Sequence, residues 1–311
     1  MCTRWVPGRR RVRSKFAITW CVLALGIVLP NLAAAGVIPL PKAQVERAVT
    51  ASVPAWQGQD ATVLKYLDLT QPFATASPWS LVVVQDPHPQ EGVMSDEQNP
   101  IAVCFVEDHT PHCMEFQQCG VTPSGEPDWY MAWFTKSCEP ARIFSLIDLE
   151  VVHAGARNTR PLLLLKTADM GGVNGSRDIR TILYRYDRSA NRFRAVFTHD
   201  SAGSNNNQAA RFAETGPLRG DVIVDFPTQH APYAYWIEVF APGKSGRYAR
   251  VLRYRGHTGY GDGNRLSVAD SEMPEILKRM GLWKQGDPLP VPTDRFDCMR
   301  PYLSHEEEWC E

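Results

Sequence analysis

Apolar residues along this chain gather in many short runs broken by turn-forming residues, and only two stretches space them as a helix would. Residues 79–84 and 162–165 are unbroken apolar runs, the mark of strands buried on both faces. Ile147, Leu149 and Val151 alternate with Asp148 and Glu150, the mark of a half-buried strand. Further strands are expected over 101–106, 112–118, 181–187, 193–198, 221–226, 234–240 and 248–254, separated by turn clusters such as 187–191 and 242–246. Val45, Ala48, Val49 and Ser52 predict a helix over 42–52 that Pro54 stops. Met273, Ile276, Leu277 and Met280 predict a second, capped by Ser271, opened by Glu272 and Pro274, and closed by Lys278, Arg279 and Gly281. The expected fold is therefore dominated by β-structure, with antiparallel sheets in a sandwich or an incomplete, propeller-like arrangement and short N-terminal and C-terminal helices.

A faint repeat supports that expectation. The pieces 162–165, 182–187 and 192–197 recur as 222–224, 236–240 and 247–252, corresponding pieces lying 54 to 60 residues apart. Each unit is the size of one propeller blade or one sandwich layer. A third unit over 79–84 and 101–118 has a different spacing. Two or three such units do not close a ring, so packed open sheets are preferred.

Composition changes the picture at the amino terminus. The chain has 311 residues, 44% apolar and 22% charged, which excludes a collagen-like or wholly disordered polypeptide. Its formal charge is -1, yet the first 35 residues hold six basic residues and no acidic one, leaving 27 basic against 34 acidic in the remainder. A mildly acidic remainder has no electrostatic case for nucleic-acid phosphates. After the basic head come the apolar stretch 16–29, Pro30 and the small residues Ala33, Ala34, Ala35 and Gly36, which together read as a signal peptide over 1–35 cleaved after Ala35. The stretch falls short of the roughly 20 apolar residues that span a bilayer, so no stable membrane insertion is expected after cleavage. The expected location is periplasmic or secreted.

The cysteines agree with export. Setting aside Cys2 and Cys21 leaves Cys104, Cys113, Cys119, Cys138, Cys298 and Cys310, an even set consistent with three disulfides. A hairpin centred on Asp108 and His109 places Cys104 opposite Cys113. The expected remaining pairs are Cys119 with Cys138 and Cys298 with Cys310. Four segments follow: the leader over 1–35, a disulfide-containing β region over 36–140, a β region with the two repeat units and closing helix over 141–286, and a clipped tail over 287–311. A competing use of His109, His112 and Cys113 as soft metal ligands lacks a second ligand pair.

No local signature of catalysis is present: no GxSxG elbow, HExxH, Walker loop or dinucleotide fingerprint. Asp169, Asn174 and Asp178 form one Asp/Asn/Gly-rich cluster, and Asp262 and Asn264 another; both are candidate pocket loops with hard oxygens suited to calcium. Over about ten residues each, they resemble fragments of the calcium loops in FG-GAP integrin-type propellers. Both depart from that pattern in lacking its alternating Asp and Asn ligands, and Leu266 stands where the closing carboxylate belongs. Trp129, Tyr130, Trp133, Tyr233, Tyr235, Trp236, Tyr248, Tyr254 and Tyr260 offer aromatic faces for a sugar or peptide, although Tyr235, Ile237 and Val239 share a strand face suited to the core. Arg219, Gly220 and Asp221 spell an adhesive tripeptide, and turn chemistry accounts for it equally. The function expected is non-catalytic binding of a protein or glycan partner. The alternative is an extracytoplasmic hydrolase assembled from distant loops, with Asp169, Asp178, His199 and Asp262 as first suspects.

Overall fold

Antiparallel strands read as continuous apolar runs only when both faces of their sheet are covered. The computed structural model supplies the covers. It describes residues 37–53, 61–87, 99–114, 116–118, 139–141, 143–154, 160–169, 178–202, 209–228, 234–259, 266–284 and 286. Three antiparallel meanders, each of four strands, stack as layers between two helices. The first comprises β1 (Thr62–Asp68), β2 (Trp79–Gln85), β3 (Ile101–Glu107) and β4 (Thr110–Cys113), with the one-turn helix α2 (Thr70–Phe73) between β1 and β2. After the small hairpin of β5 (Phe116–Gln118) and β6 (Glu139–Ala141), the second comprises β7 (Ile143–His153), β8 (Pro161–Asp169), β9 (Asp178–Asp187) and β10 (Arg192–Ala202). The third comprises β11 (Ala209–Phe212), β12 (Val222–Pro227), β13 (Ala234–Pro242) and β14 (Tyr248–Gly259). The first two layers are joined edge to edge at the pair Ile101 and Ile143.

Alternation along each strand assigns side chains to four apolar clusters. Leu81, Val83, Val103 and Phe105 of the first layer meet Leu163, Leu165, Ile182 and Tyr184 of the second. On the other face of β8 and β9, Leu162, Leu164 and Leu183 meet Val222 and Val224 of the third layer. The outer face of the first layer, including Val82, Val84 and Cys104, is covered by Val45 and Val49 of α1 (Lys42–Ser52). The outer face of the third, including Ile223, Ile237 and Val239, is covered by Ile276 and Leu277 of α3 (Val268–Arg279). The β regions on either side of residue 140 thus share a core.

The repeat corresponds to β8-β9-β10 and β12-β13-β14, and the unit with the unmatched spacing is a meander of the same kind. Two local expectations change. The strand expected over 112–118 is broken after Cys113, because β4 pairs with β3 whereas β5 turns to pair with β6. The cap of helix α3 lies four residues before the expected one: the Ser267 hydroxyl accepts from the Asp270 N–H, which leaves Ser271 inside the helix and Pro274 in its interior. Gly281, with φ +68, ends it as expected.

Candidate functional site

The two ends of the strand stack differ. One carries three tight turns, in which Asp108 and His109 form a two-residue turn with φ 42 and 75, Asn191 closes β9–β10 at φ 45 and Gly246 closes β13–β14 at φ 76, together with the connections 69–78, 154–160 and 213–221. Asn191 ties that turn to the first layer. Its amide donates to Ser77 Oγ at 2.8 Å and to Glu107 Oε1, and its oxygen accepts from Trp79 Nε1 at 3.3 Å and from the Tyr186 hydroxyl. Arg219, Gly220 and Asp221 belong to this end as well. Gly220 has φ +92, its N–H donates to the Ala213 carbonyl at 2.7 Å, its carbonyl accepts from the Tyr248 hydroxyl at 2.7 Å, and half-burial raises the Asp221 carboxyl to about 6. A tight turn accounts for the tripeptide.

At the other end the connections span 86–100, 170–177, 203–208, 228–233 and 260–267, none shorter than six residues. Asp169 ends β8 and Asp178 begins β9, so the backbone brings both to this end; they pair in the ladders with Ile143 and Ala202 respectively. Asn174, Asp262 and Asn264 fall in connections that leave from it and lie outside the described residues. Among the described residues no group of three or more His, Cys, Asp or Glu side chains is placed to hold a metal ion.

Close to this end, a row of polar side chains crosses the second layer on the face turned to the third. Lys166 of β8 pairs in register with Thr181 of β9, which pairs with His199 of β10. Lys166 and Thr181 are buried, at 7% and 1% exposure. The Thr181 hydroxyl and His199 Nε2 are both shielded from solvent and have no hydrogen-bond partner. Burial lowers the His199 pKa to about 4, the neighbouring Asp200 carboxylate pulling the other way, so the imidazole is neutral at pH 7. Asp200 itself accepts twice from Arg180, at 2.6 and 2.9 Å. The sequence singled out His199 as a suspect but not Thr181 or Lys166, because which residues stand in one row depends on the register of three strands. The bulge of β10 between Ala195 and Phe197 sets that register.

A concavity lies where α3 crosses the end of β14. It has a volume of about 420 Å³ and is lined by His257, Thr258, Ser271, Glu275, Lys278 and Trp283 among others. At its floor the buried Glu272 carboxylate accepts from the N–H groups of His257 and Thr258 at 2.6 and 2.7 Å, the Thr258 hydroxyl at 2.8 Å and the Tyr254 hydroxyl at 3.0 Å. Burial and this carboxylate raise the Tyr254 pKa. Four donors saturate Glu272, so it anchors the helix and is not a candidate acid or base. Nearby, Arg211 clamps Asp270 through two bonds of 2.9 and 2.8 Å, fixing the start of α3.

The aromatic candidates divide. Tyr235 and Tyr254 are core residues, Tyr248 packs edge-on against Phe197, and Trp236 is stacked under the Arg253 guanidinium at 4.7 Å. Trp129, Tyr130, Trp133, Tyr233 and Tyr260 lie outside the described residues. Cys104 and Cys113 form a disulfide across the β3–β4 ladder with their α-carbons 3.9 Å apart, which removes Cys113 from any ligand set with His109 and His112. Cys119, Cys138, Cys298 and Cys310 lie outside the described residues. No known protein family, curated protein or solved structure matches the chain.

Proposed function

We propose that this chain is an exported, disulfide-stapled β protein whose role is non-catalytic binding of a protein or glycan partner at the loop-bearing end of its strand stack. The observation that carries the reading is that the connections containing the Asp- and Asn-rich clusters, 170–177 and 260–267, leave from one end of the stack, where no connection is shorter than six residues, while the tight, internally bonded turns all lie at the other. A rigid layered scaffold presenting variable loops at one end is how β proteins commonly build recognition surfaces. The basic and apolar leader and the Cys104–Cys113 bridge support export. The test is expression of the full chain in a secreting host, mapping of its N terminus and thiols, and probing of glycan and extracytoplasmic-protein arrays with the product. Processing after Ala35, oxidised Cys104 and Cys113, and saturable binding to one array are expected. An intact leader on reduced cytosolic protein sinks the export half, and silent arrays sink the binding half.

A second reading, an extracytoplasmic hydrolase, draws on the neutral His199 at the same end as Asp169 and Asp178. It requires turnover of an ester, peptide or glycoside substrate that His199→Gln abolishes.

A further inference from the structure

The cavity of about 420 Å³ between α3 and β14 lies beside the connection 260–267, at the loop-bearing end, and has the size of a small-ligand site. Ser271, Pro274, Glu275 and Lys278 line it from α3 at the spacing of one helix face, and His257 lines it from β14. Trp283 lines it from beyond the helix. After the turn at Gly281 the Trp283 N–H donates to the Leu277 carbonyl at 3.2 Å, and the half-buried indole packs against the core of the third layer. The four donors on Glu272 and the Arg211–Asp270 clamp fix α3 in place, so these walls are set before any ligand arrives.

The polar groups on the walls select among ligands. Glu275 Oε1 accepts from Arg279 Nε at 2.7 Å, whereas Glu275 Oε2 stands 3.7 Å from Lys278 Nζ, too far for a hydrogen bond between them. A carboxylate oxygen able to accept and an ammonium able to donate therefore stand side by side. The first repels an anion and the second a cation, while a neutral hydroxyl donates to one and accepts from the other. Trp283 and Pro274 add apolar surface for a ring with an apolar face of its own. Neutral hydroxyls around a ring with a C–H face are the chemistry of a pyranose. A protein partner needs a far wider surface, about 800 Å² on each side of a stable interface.

Building on the binding role given above, we propose that this cavity holds one neutral pyranose unit of a glycan, stacked on Trp283 and hydrogen-bonded to Glu275 and Lys278. The test is saturation-transfer NMR and calorimetric titration of the purified full chain with neutral methyl hexosides and N-acetylglucosamine oligomers, with anionic sialic acid and cationic glucosamine as controls. Saturable binding of at least one neutral sugar is expected, with both charged sugars at least tenfold weaker. Trp283→Ala and Glu275→Gln are each expected to weaken the neutral sugar at least tenfold. If either folded variant binds that sugar as wild type does, the cavity assignment is overturned and the glycan-binding role stands. If no neutral sugar binds but a protein array responds, the pyranose is overturned and the partner-binding role stands; silence from sugars and arrays together overturns both. A charged sugar that binds as tightly as the neutral ones also overturns the assignment. Should Trp283→Ala fail to fold, Glu275→Gln decides by itself, because it keeps the side chain's shape and loses only ion pairs to the exposed Lys278 and Arg279.

Discussion

At the scale of single residues, two titrating groups oppose each other in one pH window. The folded protein holds His199 near 4, whereas an unfolded histidine titrates near 6.5. As pH falls through that interval the unfolded chain takes up a proton that the folded one refuses, so the His199 contribution is complete above 6.5 and is lost towards 4, by at most about 3 kcal/mol. Asp221 acts in the other direction. Its carboxyl is raised from 3.8 to about 6, so the folded state holds the proton more tightly and gains stability as pH falls from 6 to 4. Urea unfolding at pH 7 and pH 4.5 should therefore show a steeper acid loss in Asp221→Asn than in wild type, and a shallower one in His199→Gln; equal slopes in all three would remove both assignments. Gly256 gives a second residue-level prediction. A β-carbon there would lie 2.8 Å from Glu272 Oε1, and the four donors on Glu272 prevent its retreat. Gly256→Ala should cost about 1–3 kcal/mol, measured by denaturant midpoint, and should loosen α3 in hydrogen exchange before the rest of the third layer.

Elements show what a sequence reading can and cannot reach. Pairings across a two-residue turn were readable: the interval between Cys104 and Cys113 and the turn residues between them fix the β3–β4 register, and the disulfide follows. The start of α3 was not. Ser267 and Ser271 both suit a cap, and Pro274 argues for the later one, but the Arg211–Asp270 clamp, joining residues 59 apart in sequence, holds the helix one turn earlier. The Lys166–Thr181–His199 row was out of reach for the same reason, since it exists only after three strands have chosen their register. Two predictions belong to this scale. Asp108 and His109 adopt the positive φ angles that Asn-Gly accommodates with less strain, so Asp108→Asn with His109→Gly should stabilise the hairpin by about 0.5–1 kcal/mol, seen as a raised Tm with an unchanged far-ultraviolet spectrum. In the β5–β6 ladder Gln118 pairs with Glu139, and in the sequence Cys119 follows the first and Cys138 precedes the second. Non-reducing peptide mapping should recover those two in one linked fragment; a free thiol at either, or a link to Cys298 or Cys310, would refute that pairing.

For the whole molecule, what matters is that the second layer has no solvent face along its middle strands. Leu163 and Leu165 point to the first layer while Leu162 and Leu164, their neighbours on β8, point to the third, so one strand contributes to two cores. Burial on both faces is why β8 is a run of leucines without the polar alternation of an exposed sheet. It also couples layers that share no apolar cluster. Truncating Leu163, which is fully buried and packs only in the cluster facing the first layer, should cost about 2–5 kcal/mol through lost burial and the cavity left behind. If β8 transmits that loss, amide exchange in Leu163→Ala should accelerate by similar factors in β2, which packs against the truncated side chain, and in β12, which does not. Were the layers independent cooperative units, β2 would exchange faster and β12 would keep its wild-type protection. The same measurement bears on how a loop-bearing end is held, because the anchors at the opposite end, from Asn191 across to Ser77 and Glu107 and from Arg185 to the Ser245 carbonyl, join successive layers only while the middle one is intact.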